Sequence, residues 1–168
     1  LPVVSIALKE RPSMISYGIA TLIALFASIG YVLYQLALDH VAPAAIFSQD
    51  VLVDDAFGAL FAIAMLIVAI FTTVGSFSYM KNKANPSVYF SLILLSTIGM
   101  VLVAYSTDLV MLFVAWELMS IPTYILVGFL KKDPISNEAA IKYFLFGALS
   151  SAIIIYGISL AYGITGST

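Results

Sequence analysis

Five long apolar stretches, separated by short polar segments, dominate the pattern of this 168-residue chain. They predict helices at residues 13–38, 56–80, 87–105, 109–130 and 137–162. Each is long enough to cross a hydrocarbon layer, which takes roughly 20 apolar residues in an α-helix. The polar segments between them contain proline and helix-capping residues, which are typical of turns. The pattern therefore predicts an all-α membrane protein with about five transmembrane helices, forming a single transmembrane domain over residues 1–168.

The composition supports a membrane location. Hydrophobic residues make up 62% of the chain and charged residues only 10%, which is too little charge to cover the surface of a soluble domain. The lipid bilayer is therefore the expected surrounding of the helices. The formal net charge of −2 gives no indication of a nucleic acid partner.

The chain has no cysteine and a single histidine, His40, in a polar loop. The absence of cysteine excludes disulfides and any cysteine-ligated iron–sulfur cluster from this chain. One histidine in a loop is a poor basis for a haem or zinc centre. We therefore expect no cofactor in this chain, so that any redox chemistry of a parent assembly is carried out by other subunits.

The charged residues of the loops separate by sign when the chain crosses the membrane five times. One set of loops is basic and contains Lys9, Arg11, Lys81, Lys83, Lys131 and Lys132. The opposite loops are acidic and contain Asp39, Asp50, Asp54, Asp55 and Asp108. Because basic loops stay on the cytoplasmic side, we expect residues 1–12, 81–86 and 131–136 to be cytoplasmic in a multi-pass protein of the cell membrane.

Glu117 is the residue that most strongly indicates a function, because it lies near the middle of the fourth predicted helix. A charged side chain at that depth costs about 3 kcal/mol on insertion scales, and such residues commonly handle ions or protons. Ser120 and Tyr124 share its helical face, and Pro122 frees the Leu118 carbonyl, so that water could be ordered there. The alternative is that Glu117 is protonated and hydrogen-bonded to a neighbouring helix.

Lys142 is the one basic residue outside the loops, and Glu138 precedes it by one helical turn. In one interpretation Lys142 is an interfacial residue that pairs with Glu138. In the other it points into the bundle, exchanges a proton and forms a charged axis with Glu117. Further along the same helix, Gly147 and Ser151 are small residues four positions apart, a spacing that predicts close packing of two helices.

Three segments together resemble one known family. Residues 116–124 read WELMSIPTY, residues 136–148 read SNEAAIKYFLFGA, and residues 162–167 read YGITGS. They are similar to the antiporter-like membrane subunits of respiratory complex I, most closely subunit N of NADH-quinone oxidoreductase and of archaeal F420H2 dehydrogenase. The resemblance implies that the chain is a piece of a longer protein and part of a larger antiporter-like helical bundle.

The resemblance also implies an activity, which is proton translocation by a non-redox subunit of a translocase in the respiratory chain. NADH or F420H2, and quinone or phenazine, would be bound by other subunits. The partners would be other membrane subunits of the complex, of the M, L, K and J types. The residues implied are Glu117 and Lys142 for proton translocation, with Ser120, Pro122, Tyr124 and Glu138 in supporting roles.

Other functions remain open at this point. A subunit of a multi-subunit Na⁺/H⁺ antiporter or of a membrane-bound hydrogenase would share the same ancestral helices. A purely structural membrane scaffold, in which Glu117 stays neutral and inert, is a third possibility.

Overall fold

The computed structural model describes residues 13–37, 51–53, 55–81 and 83–167. These residues form five α-helices, which are α1 (Met14–Ala37), α2 (Ala56–Tyr79), α3 (Pro86–Tyr105), α4 (Leu109–Val127) and α5 (Pro134–Thr165). All five are long and apolar enough to cross a membrane. The prediction of an all-α membrane protein with about five transmembrane helices is therefore confirmed. The predicted cytoplasmic segment 1–12, His40 and most of the loop after α1 lie outside the described residues.

Predicted and observed helix ends differ by at most three residues, and the largest differences involve α4 and α5. The chain leaves α4 at Gly128, so the helix ends at Val127 and not at residue 130. Helix α5 begins at Pro134 and not at residue 137, because the Asp133 side chain accepts a hydrogen bond from the Ile135 amide at 3.1 Å. Proline suits the first turn of a helix, where its missing N–H would have no partner.

At one end of the bundle, side-chain caps and a short backbone pairing fix the loops. Asp55 caps α2 by accepting from the Gly58 amide, and Asp108 caps α4 by accepting from the Met111 amide, both at 2.7 Å. An isolated antiparallel bridge joins Leu52 to Ser106. The segment before α2 is thereby tied to the α3–α4 turn, so both belong to the same end of the bundle.

The helices pack mainly against their neighbours in sequence, and α1 also contacts α3. A core cluster of Leu25, Val32, Ala59, Leu66 and Ala69 joins α1 to α2. Helices α3 and α4 form the most extensive interface, since the turn between them leaves them antiparallel and adjacent. Lipid tails are as apolar as leucine, so close van der Waals packing and interhelical hydrogen bonds supply most of the attraction between such helices.

Helix α5 differs from the others because none of its 32 residues is buried by the rest of the described chain. It packs on α4, and its other faces are exposed. At about 1.5 Å per residue its length is roughly 48 Å, which exceeds the approximately 30 Å hydrocarbon core of a bilayer. The helix must therefore tilt or extend beyond the hydrocarbon core.

Candidate functional site

Glu117 lies near the middle of α4, eight residues after its start and ten before its end. The side chain is partly buried, on a helix that is otherwise almost wholly apolar. Its carboxylate oxygen Oε1 accepts a hydrogen bond from the Ser151 hydroxyl of α5. Helix α4 therefore directs this carboxylate toward the facing helix, where it meets a donor.

On its other side, α4 is held tightly by α3. A Cβ atom placed on Gly99 would lie only 2.7 Å from the Met119 Cα atom and 2.8 Å from the Leu118 carbonyl carbon. One turn earlier on α3, the Ser96 hydroxyl donates to the Met119 carbonyl at 3.0 Å. Because both contacts involve the backbone just after Glu117, they fix the part of α4 from which the Glu117 side chain extends.

The α4–α5 interface continues in register on the C-terminal side of Glu117. Tyr124 lies two turns after Glu117 on α4, and its ring meets the edge of Tyr143 with centroids 4.9 Å apart. A Cβ atom on Gly147 would lie 2.6 Å from the Tyr124 Cζ atom. The small residue at position 147 thus lets the two helices approach closely, as predicted from its spacing with Ser151. The close approach brings the short Ser151 side chain within reach of Glu117.

The residues predicted to support Glu117 have other immediate partners in the described part of the chain. The Ser120 hydroxyl donates to the Trp116 carbonyl at 2.8 Å, within its own helix. Tyr124 faces α5, as Glu117 does, but it packs against Gly147, Tyr143 and Phe144. Ser120 therefore bonds within α4, and Tyr124 fills the α4–α5 interface on the C-terminal side of the carboxylate.

Pro122 is fully buried inside α4. It cannot donate a backbone hydrogen bond to the Leu118 carbonyl, which leaves an acceptor one residue from Glu117. The Thr123 hydroxyl beside it donates to the Ser120 carbonyl at 2.7 Å and lies 3.5 Å from the Tyr143 hydroxyl. Polar oxygens therefore extend from the neighbourhood of Glu117 toward the α4–α5 turn.

Lys142 forms an ion pair with Glu138 at 2.5 Å, and both side chains are about two-thirds exposed in this chain. Lys142 lies nine residues before Ser151, which corresponds to about 13 Å along the axis of α5. Within the described ranges the ion pair of Lys142 is with Glu138 and none joins it to Glu117. The structure thus brings together the partners of the interfacial interpretation, and it separates the two members of the proposed charged axis.

Ser151 is the contact that the sequence analysis misses, because its spacing with Gly147 indicates only a packing interface. The signal that could have found it is the register of the α4–α5 hairpin. The turn places Gly128 against Ala140, and counting outward in antiparallel fashion places Glu117 opposite Ser151. The exact start of α5 was needed for that count.

Over the described residues, no group of three or more His, Cys, Asp or Glu side chains could hold a metal ion. The site is instead a carboxylate and a hydroxyl inside a membrane span, and a lysine–glutamate pair lies about 13 Å away along α5. Five membrane helices, one of which carries such a carboxylate, define a class, that of polytopic membrane proteins with an ionisable group in a membrane span. In this class the ionisable group commonly marks an ion or proton pathway.

Comparison with known proteins shows that the chain is similar to one family. Residues 106–168 match the family described as NADH:quinone oxidoreductase/Mrp antiporter, transmembrane. The chain is 49% identical over 118 residues to NADH-quinone oxidoreductase subunit N 1 of Koribacter versatilis, covering 70% of this chain and 23% of that protein. It is 39% identical over 123 residues to F420H2 dehydrogenase subunit N of Methanosarcina mazei, covering 73% of this chain and 25% of that protein.

A solved structure shows the same fold. A chain of respiratory complex I from Thermus thermophilus with bound aureothin superimposes with a TM-score of 0.77 and 28% identity, over 99% of this chain and 34% of that chain. The resemblance to antiporter-like subunit N is therefore confirmed. The chain spans about a quarter to a third of the length of these relatives.

Proposed function

We propose that this chain is part of an N-type, proton-translocating membrane subunit of a complex I-like oxidoreductase. Glu117 carries this proposal, because a carboxylate at mid-membrane is directed at a donor on a facing helix and not at lipid. An isolated charge in the hydrocarbon would be costly, whereas a hydrogen-bonded carboxylate can be held there and can gain or lose a proton. The named relatives, which are subunits N of NADH-quinone oxidoreductase and F420H2 dehydrogenase, support the assignment.

In this proposal the chain carries no electrons. NADH or F420H2 and quinone or phenazine bind to other subunits, and the chain responds to charge changes that begin there. Membrane subunits of the M, L, K and J types are the proposed neighbours, and the similarity to a chain of an entire respiratory complex I supports such an assembly. The exposed faces of α5 offer a large apolar surface for further helices.

The mechanism is electrostatic. While Lys142 is paired with Glu138, the two charges largely cancel and Glu117 experiences little net field. When Glu138 moves away or takes up a proton, the lysine charge is no longer balanced. At an axial offset of about 13 Å it interacts with a carboxylate by at most roughly 1 kcal/mol at an effective dielectric constant of about 20. That energy is close to a tenfold change in a protonation equilibrium. Opening and closing of the pair would thus change how readily Glu117 exchanges its proton.

The proposed orientation places the chain in the cell membrane with the α2–α3 and α4–α5 turns in the cytoplasm. Both turns are at the same end of the antiparallel bundle, and Lys81, Lys83, Lys131 and Lys132 lie there. The bridge between Leu52 and Ser106 marks the opposite end. The segregation of lysines to one end supports this orientation.

The test is Glu117→Gln in the assembled complex in sealed membranes. Glutamine keeps the size of the side chain and the acceptor for Ser151 but cannot ionise. We expect strongly reduced proton pumping per quinone reduced. Asp133→Asn is the matched control, because it neutralises a carboxylate in the cytoplasmic turn and keeps an oxygen for the cap of α5, and it should pump normally. Undiminished pumping by Glu117→Gln with normal redox turnover would remove the proposed function.

A multi-subunit Na⁺/H⁺ antiporter is the second candidate, because the matched family description includes the Mrp antiporters. The two candidates differ in what drives the proton. Cation-dependent proton exchange in vesicles without quinone would favour the antiporter, whereas pumping that requires quinone reduction would favour the oxidoreductase.

A further inference from the structure

Ser151 differs from three other serine and threonine side chains of α5, whereas Ser136 at the start of the helix donates to the Val127 carbonyl of α4 at 2.6 Å. Ser150, Ser159 and Thr165 each donate to a backbone carbonyl of their own helix, at 2.9, 2.7 and 2.9 Å. That local bond is the usual arrangement for serine and threonine inside helices. Ser151 instead directs its proton across the interface to Glu117. Local helix geometry therefore does not explain the hydrogen bond that the Ser151 hydroxyl makes.

We propose that Ser151 is a positioning residue for proton exchange at Glu117. Its hydroxyl donor holds the carboxylate oxygen Oε1 and leaves Oε2 as the oxygen that takes up and releases the proton. This inference rests on the proposed function and adds a residue to it. The proton balance is simple, since Oε2 gains one proton to form the neutral acid and later loses it, while the Ser151 hydroxyl keeps its own proton.

Burial and bonding distinguish the two carboxylate oxygens of Glu117. Oε1 has the Ser151 donor. In the part of the chain that the structure describes, no fully buried side-chain oxygen or nitrogen lacks a hydrogen-bond partner. Since no donor to Oε2 is found in those ranges, the described residues do not fully bury Oε2. A carboxylate held through one oxygen and open at the other has a defined site for an incoming proton.

The neighbouring helices hold the backbone on both sides of the site close together. Gly99 and Ser96 of α3 hold the α4 backbone immediately after Glu117. Gly147, one turn before Ser151, lets α5 approach α4 closely enough for a serine side chain to reach across. Packing thus sets the positions of α4 and α5, and the Ser151 hydroxyl donates the hydrogen bond that joins them at Glu117.

The experiment uses the assembled complex and combines proton pumping with redox-induced infrared difference spectra in the carboxyl C=O region. Ser151→Ala removes the donor, so the C=O band of protonated Glu117 should move to higher frequency. Pumping should fall roughly 3- to 20-fold, the range that corresponds to measured interhelical hydrogen bonds in membranes. Ser151→Thr restores a hydroxyl at the same position and should restore both signals.

Ser150→Ala is the matched control, since it removes the adjacent hydroxyl, which bonds only its own helix at 2.9 Å. It should change neither the band nor pumping. If Ser151→Ala prevents assembly, Ser151→Cys keeps the volume with a weaker donor, and the same band shift is expected. If Ser151 only filled space at the interface, the C=O band of Glu117 would have the same frequency in Ser151→Ala, Ser151→Thr and the wild type.

The outcomes for Ser151 and for the proposed function are separable. An unshifted Glu117 band and normal pumping in Ser151→Ala, together with lost pumping in Glu117→Gln, would overturn the role of Ser151 and leave the proposed function intact. Normal pumping in Glu117→Gln would instead overturn the proposed function, and the role of Ser151 with it.

Discussion

Replacing Gly99 by alanine should destabilise the bundle by forcing α3 away from α4. The added Cβ atom would lie 2.7 Å from the Met119 Cα atom and 2.8 Å from the Leu118 carbonyl carbon, and it would also meet the Met119 amide nitrogen. Carbon atoms prefer to be about 3.5–4.0 Å apart, so the helices must separate by roughly 1 Å. All three atoms belong to the backbone, which cannot rotate aside as a side chain can.

The magnitude follows from three terms. Overpacking of a close interface costs about 1–3 kcal/mol. Separation also weakens the 3.0 Å hydrogen bond between Ser96 and the Met119 carbonyl. Such interhelical bonds contribute about 0.6 kcal/mol on average in membranes. The higher helix propensity of alanine stabilises α3 by up to about 1 kcal/mol and offsets part of this loss. Together the three terms give an expected net loss of about 0.6–2.6 kcal/mol.

The assay is SDS titration of the chain in mixed micelles, followed by helical circular dichroism and by the fluorescence of Trp116. This residue is the only tryptophan of the chain and lies next to Glu117 on α4, so it reports on the affected helix. Gly75→Ala is the matched control, because nothing lies within 4 Å of a Cβ atom there. It should be as stable as the wild type or slightly more so. A Gly99→Ala chain at least as stable as Gly75→Ala would refute the close backbone approach of α3 and α4.

Two further predictions concern a helix cap and the orientation in the membrane. Asp55→Ala removes the acceptor of the 2.7 Å bond from the Gly58 amide, and it should cost about 1 kcal/mol in the same titration, whereas Asp55→Asn should retain most of the stability. An equal loss in both variants would show that the side-chain oxygen is not the stabilising group. Because the chain has no native cysteine, single substitutions Lys132→Cys and Thr107→Cys should react with an impermeant maleimide from the cytoplasmic and the opposite side, respectively. Labelling of both from one side would contradict the proposed orientation.

Most of the fold could be predicted from hydropathy, because spanning a bilayer sets a length that five apolar stretches meet. The helix starts at residues 56 and 109 were predicted correctly, since an aspartate directly precedes each helix and caps it. The ends near the α4–α5 turn were less accurate. There the apolar pattern continues to Leu130, and hydropathy does not show that the backbone leaves the helix at Gly128.

Less of the candidate site could be predicted. Glu117 was evident from its position, because an ionisable residue in an apolar span is rare. Its partner Ser151 was not, since pairing across two helices depends on the register of their turn, and a three-residue error in the start of α5 rotates the helix by most of a turn. For Lys142 the sequence left two interpretations open, and the structure shows the pair with Glu138 at one-turn spacing.

The residue that packs against Gly147 could not be predicted from the sequence either. Its spacing with Ser151 predicted close packing, but it did not identify Tyr124 as the ring that fills the space above it. Aromatic rings reach across interfaces in ways that depend on rotamers, which the sequence does not fix. Contacts of this kind can be identified only from a three-dimensional structure.

The most direct measurement of the central claim is the redox-induced infrared difference spectrum of the assembled complex, recorded for the wild type and for Glu117→Gln. If Glu117 changes its protonation state during turnover, a carboxyl C=O band present in the wild type should be absent from the variant. Identical spectra in the carboxyl region would contradict the claim that this mid-membrane carboxylate exchanges a proton when the complex works.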